Sequence, residues 1–189
     1  MVRPKIFFST SFYLQLRILM CPYNYEKINK FRKDFEKFFR ERERVIMKNI
    51  PKLTGIPWKR KSIQVWLFEG WYPSISDPLL LNVHDYDKKF VLFNLIHELI
   101  HVNLMDSKIP AISKIKLLKL EALVSYLTVN VATLIFSKRE VEKFRKLSEF
   151  HGYYYKVWKK VKELENIWDP HRQTLVEFVK KECRAKKFG

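Results

Sequence analysis

Cysteine is nearly absent from this chain of 189 residues: Cys21 and Cys183 are far apart, and neither belongs to a CxxC pair. Two such residues cannot build a disulfide framework, so reduced thiols in a cytosol are expected. Glutamine is equally scarce, at Gln15, Gln64 and Gln173, while Lys, Arg and Glu abound. That bias is the one seen in proteins from hot environments; it bears on source and leaves function open. No apolar run is long and clean enough for a membrane span, since residues 120–136 include Glu121 and fall short of about 20 residues. The run KIFFSTSFYLQLRILM has some likeness to a signal segment, but Gln15 and Arg17 interrupt it and no small-residue cleavage site follows. Repeats, low-complexity linkers and a clear domain boundary are also missing. Together these absences predict one soluble, cytoplasmic domain with no membrane partner.

Acidic residues are outnumbered, with 20 Asp+Glu against 37 Lys+Arg and a formal net charge of +17. A field of that sign attracts acidic proteins, nucleic acid or anionic lipid, but it identifies no site. Hydrophobic residues make up 47% of the chain and aromatics 15%, enough for one good core.

Periodicity outlines the elements. Residues 5–19 read as a strand or two short strands, and residues 25–52 as an amphipathic helix whose stripe of Ile28, Phe31, Phe35, Phe38 and Phe39 should back a sheet. Gly55 and Pro57 mark a connection before a strand over 62–68, and a second apolar run covers 79–83. Asp85 or Asp87 can cap a helix running to about Met105, and Ser113 can cap a long, largely buried helix over 114–136. Amphipathic helices are expected near 139–150, 153–168 and 173–187. The fold class is therefore α+β: a small mixed sheet with a backing helix, two central helices, and C-terminal helices. We divide the single domain 1–189 into a sheet-and-site part, 1–137, and a helical part, 138–189.

The stretch FVLFNLIHELIHVNLM, residues 90–105, is apolar except for a few groups at its centre. His97 and His101 are four apart, so a helix presents them side by side with room for one ion between their nitrogens. Glu98 points to a neighbouring part of the surface, where it can take a proton from a water held by that ion. A catalytic zinc needs a third protein ligand. Glu121 supplies a candidate, as the only charged residue between Leu120 and Ser137. An unpaired carboxylate in so apolar a helix costs several kcal/mol or must stay protonated, and a cation removes both penalties. The alternatives are core histidines bonded to backbone carbonyls and a Glu121 paired with a lysine.

HExxH followed by a glutamate on a second helix resembles the gluzincin metallopeptidases, the group of the thermolysin-like enzymes. Leu104 and Ser107 stand where metzincins need Gly and His. The likeness covers roughly residues 62–136. Its size looks similar to the minigluzincins, and NVHDYDKKFVLFNLIHELIH resembles the helix entry of ImmA/IrrE-type peptidases.

The resemblance implies zinc on His97, His101 and Glu121, with Glu98 as general base and then acid, and a protein or peptide substrate paired to an upstream strand. Ser125 stands where the family often has a carboxylate that orients the first His; Asn94 and Asn130 are further candidates. The family also stabilises the oxyanion with a Tyr or His. His151 and Tyr154 are the favoured candidates among Tyr126, Tyr153, Tyr155 and His171. In the minigluzincin and ImmA/IrrE groups the cleft can be blocked by a terminal segment, a role the C-terminal segment TLVEFVKKECRAKKFG could play here. Two other functions compete. One is a nucleic-acid-binding or regulatory protein using Lys59, Arg60, Lys61, Lys180, Lys181, Arg184, Lys186 and Lys187. The other is a latent zinc-binding zymogen without turnover.

Overall fold

Ile6 and Phe8 alternate with polar or exposed neighbours, which makes Lys5–Thr10 a strand (β1) with one buried face. The computed structural model describes residues 3–10, 25–70, 73–83, 87–149 and 152–184. After β1 come α1 (Tyr25–Thr54), β2 (Ser62–Phe68), β3 (Ile75–Ser76), β4 (Leu79–Asn82) and α2 (Lys88–Met105). The remainder is helical: α3 (Pro110–Ser113), α4 (Leu117–Ala132), α5 (Lys138–Glu149), α6 (Gly152–Glu165) and α7 (Leu175–Arg184). This is the expected α+β architecture, a small mixed sheet followed by helices. No helix among the described residues is long and apolar enough to cross a membrane.

The sheet order is β1-β2-β4-β3. β1 runs parallel to β2, with Ile6 opposite Ile63 and Phe8 opposite Val65. Parallel neighbours need a long crossover, and α1 is that crossover. β2 is also parallel to β4, whereas β3 closes the far edge antiparallel to β4, with Ile75 opposite Leu80. β3 is only two residues long, too short for any periodicity to reveal it.

α1 backs the sheet as its stripe predicts. Phe35 and Phe39 meet Phe8 edge-on, with ring centroids 5.4 and 5.2 Å away, a geometry that aligns ring edges with ring faces. The helix ends at Gly55, whose φ of 75° is the left-handed conformation that favours glycine, and whose N–H bonds to the Pro51 carbonyl. A side chain there would also collide with Thr174, since an added Cβ would lie 2.8 Å from its hydroxyl oxygen.

α2 is apolar on nearly every side because it is enclosed by α1, α4, β3 and β4. Its N-cap is Asp87, which accepts from the Lys89 N–H at 2.8 Å. The long helix expected over 114–136 is shorter. α4 starts at Leu117 behind an N-cap, Lys116, that makes no side-chain hydrogen bond. Ser113 instead ends α3, donating its hydroxyl to the Pro110 carbonyl, because Pro110 starts a separate short turn of helix. The strand expected over residues 5–19 ends at Thr10, and its later part lies outside the described residues.

Candidate metal centre

Each ligand candidate is placed by the helix that carries it. Four-residue spacing on α2 brings the rings of His97 and His101 to a centroid separation of 4.8 Å, with their Nε2 atoms 3.2 Å apart. α4 packs against α2 and delivers Glu121 to the same point. Its Oε2 lies 3.3 Å from His97 Nε2 and its Oε1 3.3 Å from His101 Nε2. The three side chains are 12%, 12% and 14% exposed, so they stand at the rim of the core.

Three donor atoms that converge this closely can hold a metal ion. A tetrahedral ion with bonds of about 2.0–2.2 Å separates its donors by roughly 3.3–3.6 Å. The 3.2 Å between the two Nε2 atoms is close to that spacing, while the two 3.3 Å approaches use different oxygens of Glu121, and with one donor atom per residue the three lie within 4.8 Å of one another. The sequence-derived ligand set is thus brought together by the fold.

The electrostatics point the same way. Burial alone would raise the Glu121 carboxyl, but hydrogen bonds and charge from His101 and His97 outweigh it and hold the group far below the usual carboxylate range. Burial would lower His97; its hydrogen bond to Glu121 and the charges of Glu98 and Glu121 reverse this, and its affinity for a proton is raised. An imidazole whose proton affinity is raised, facing a carboxylate held ionised, is a place where positive charge is favoured.

Glu98 is buried, at 7% exposure, and among the described residues its carboxylate makes no hydrogen bond or ion pair. Its charge acts on the neighbouring His97, whose proton affinity it raises. Ser125 is buried too, and its hydroxyl makes no hydrogen bond among the described residues. Neither Ser125 nor Asn94 bonds to an imidazole there, and Asn130 donates instead to the Tyr126 carbonyl on its own helix. The expected orienting partner of the first histidine is therefore not among these three.

The oxyanion candidates are dispersed. His151 lies outside the described residues, as does the side chain of Tyr153. Tyr154 is half-buried against the core near the start of α6. The other end of α6 is the one beside α4's first turns, where Leu164 and Ala122 line a common cavity. At a rise of about 1.5 Å per residue, Tyr154 is roughly 15 Å along the helix from Leu164. The Tyr126 hydroxyl donates to the Trp168 carbonyl at 3.1 Å, Tyr155 is 67% exposed, and His171 is exposed beside Asp169.

Two features were not found by sequence reasoning. Asn103, only 1% exposed, donates to the Ile56 carbonyl and accepts from the Thr54 hydroxyl at 2.8 Å, clamping the histidine helix to the end of α1. Its signal was a polar side chain on an apolar helix, the same signal that exposed His97. Lys59 and Arg60 belong to the basic cluster of the competing nucleic-acid reading; Lys59 bonds the Ser107 carbonyl and Arg60 grips Asp106 at 2.9 and 3.0 Å. Both cations sit at the C-terminal end of α2, where they also oppose the helix dipole. Comparison of the chain with protein-family models, with curated proteins and with solved structures finds no match.

Proposed function

We propose that this protein is a zinc-dependent metallopeptidase in which His97, His101 and Glu121 hold the ion and Glu98 is the general base. The observation that carries the proposal is the convergence of three metal-ligating side chains from two helices, their donor atoms within 4.8 Å of one another, beside the buried carboxylate of Glu98. Two nitrogens and one carboxylate oxygen are the donor set of catalytic zinc sites, which keep a fourth position for water or substrate. A zinc ion there supplies Lewis acidity, lowering the pKa of a water and polarising a carbonyl.

The chain's own groups do the rest. Glu98 follows His97 directly, so it borders the site without occupying the ligand position, and it accepts the proton of the attacking water. It then returns that proton to the departing amine. The short edge strand β3 packs against α2 and offers backbone groups to an extended peptide. The proposal agrees with the gluzincin resemblance of HELIH and Glu121, and places the protein with peptide hydrolases.

The test is metal analysis joined to one substitution. Purified protein is expected to hold one zinc per chain, and the His97→Ala/His101→Ala double variant to hold none. Glu98→Gln should retain zinc while hydrolysis of an unfolded protein substrate falls by about 100-fold or more, the scale of a positioned general base. Wild-type protein without stoichiometric zinc, or a Glu98→Gln variant that hydrolyses normally, sinks the proposal.

A further inference from the structure

The inner face of α1 is fixed in the core by Phe35, Phe39, Ile46, Met47, Ile50 and Leu53. Its outer face is therefore held toward solvent. On that face stand Lys30, Lys33, Lys37, Arg44, Lys48 and Lys52, at intervals of three, four, seven, four and four residues. With 3.6 residues and about 5.4 Å per turn, such intervals confine them to an arc of about 100° and a row about 33 Å long. All six are exposed, and none of their side chains has an ion pair or hydrogen bond among the described residues. Arginines to the sides of the row are engaged: Arg32 and Arg40 share Glu36, Arg40 also reaches Glu43 and the Ile6 carbonyl, and Arg42 holds Glu41. Within the row the acidic side chains are Asp34 and Glu41, and Glu26 stands one turn before it. With Glu41 set against Arg42, six cations face the single carboxylate of Asp34. At the edge of the row Arg42 and Lys88 lie 3.8 and 5.0 Å from the Phe38 ring centroid, which widens the basic surface toward the start of α2.

We propose that the outer face of α1 binds duplex DNA through its phosphate backbone, without regard to base sequence. Shape selects a duplex, because a rigid row of about 33 Å is close to one helical turn of DNA, about 34–36 Å. Phosphates recur along such a duplex at about one charge per 1.7 Å of axis, so each cation of the row can meet one. Five of the six are lysines, compact charges that neutralise phosphates but lack the planar fork that pairs with a base edge. A single strand is held by aromatic side chains on which its bases stack, and the row contains none. A membrane surface takes an apolar face inserted beneath the charges, whereas the apolar face of α1 is in the core and no large exposed apolar side chain among the described residues lies on this helix. These cations are separate from those at 59–61 and 180–187, and the surface is independent of the metal centre and of the peptidase proposal.

Fluorescence anisotropy of the full chain with a labelled, mixed-sequence DNA duplex of about two helical turns tests this, with one of its strands and duplex RNA as further probes and co-sedimentation with phosphatidylserine vesicles alongside. The DNA duplex should bind saturably, with a Kd of about 10⁻⁴–10⁻⁶ M at physiological salt, and changing its sequence should matter by less than about threefold. Lys33→Gln/Lys37→Gln/Lys48→Gln should weaken binding by about tenfold or more at fixed salt and flatten the slope of log K against log salt by about 2–3, since each neutralised phosphate contributes about 0.9. Glutamine has nearly the helix propensity of lysine, so the melting temperature should hold. A control variant, Lys143→Gln/Lys159→Gln/Lys162→Gln, removes the same charge from exposed positions on α5 and α6 and should weaken binding by less than about threefold. Equal losses in the two triple variants would assign binding to net charge alone and overturn the proposal. So would no saturable binding of the DNA duplex at low salt, or a single strand, duplex RNA or vesicles bound more tightly than it.

Discussion

Glu121 decides what kind of site the two histidines form. Its carboxylate lies between their Nε2 atoms, and the cluster is held at the rim of the core. If the cluster exists for metal, removing the carboxylate should cost metal binding and little else. We expect Glu121→Leu to lower zinc affinity by more than about 100-fold, beyond the 10–100-fold effect of losing an outer partner. In chelator at alkaline pH, the same substitution should change unfolding free energy by less than about 1 kcal/mol, because no buried cation then loses its partner. Urea denaturation with EDTA and a zinc-competition titration check the two halves. A loss above about 3 kcal/mol in chelator would mark Glu121 as the anchor of a structural ion pair instead.

Among the elements, α2 depends on two attachments. The first is the clamp of Asn103 to Thr54 and Ile56, which fixes the helix against α1. Asn103→Ala leaves the Ile56 carbonyl without its side-chain donor and the Thr54 hydroxyl without its acceptor, both in the interior. It should cost about 1–3 kcal/mol per stranded group in a denaturant titration. The second is Lys89, whose ammonium bonds Glu140 at the start of α5. Ser137 and Glu140 form a reciprocal cap there, the Ser137 N–H and hydroxyl donating to the carboxylate while the Glu140 N–H reaches the Ser137 oxygen. The Lys89 hydrogen bond, then those from Ser137, lower the Glu140 pKa from 4.5 to about 2. A depressed folded-state pKa means that the contribution is fully present above the ordinary carboxylate value and fades as pH falls from about 4.5 toward 2. Thermal melts across that window should show Glu140→Gln losing less stability on acidification than wild type. Equal acid sensitivity of the two would contradict the sign.

For the molecule as a whole, a metal that binds only the folded state must stabilise it. At a free zinc concentration of 100 times Kd the gain is about 2.7 kcal/mol, which for a chain of this size is a rise in Tm of roughly 5–11 °C. Scanning calorimetry with zinc and then with EDTA should show that rise and its reversal, and the His97→Ala/His101→Ala variant should show neither. The net charge of +17 gives the surface a strong positive field. Part of the basic cluster that the competing nucleic-acid reading would use is engaged internally, since Lys59 and Arg60 tie the entry of β2 to the end of α2. A cation engaged in that way is less available to a phosphate backbone.

Much of the local structure was legible in the chain because it follows from nearest neighbours. The 3.6-residue spacing of Phe31, Phe35 and Phe39 specified α1, the run over 62–68 specified β2, and Asp87 capped α2 where a cap was expected. The pairing of His97 with His101 is of the same kind, since helix geometry alone puts them on one face. The start of α4 was misjudged because Pro110 began a separate turn, and β3 was missed because two residues carry no period. By itself, the sequence determined the elements and which residues lacked an apolar reason to be where they are. Only the tertiary structure decided that α4 packs on α2 so that Glu121 meets both imidazoles at 3.3 Å, and that β1, β2 and β4 lie parallel. The physical reason is that those arrangements arise from burying faces distant in sequence against one another, which no local pattern encodes.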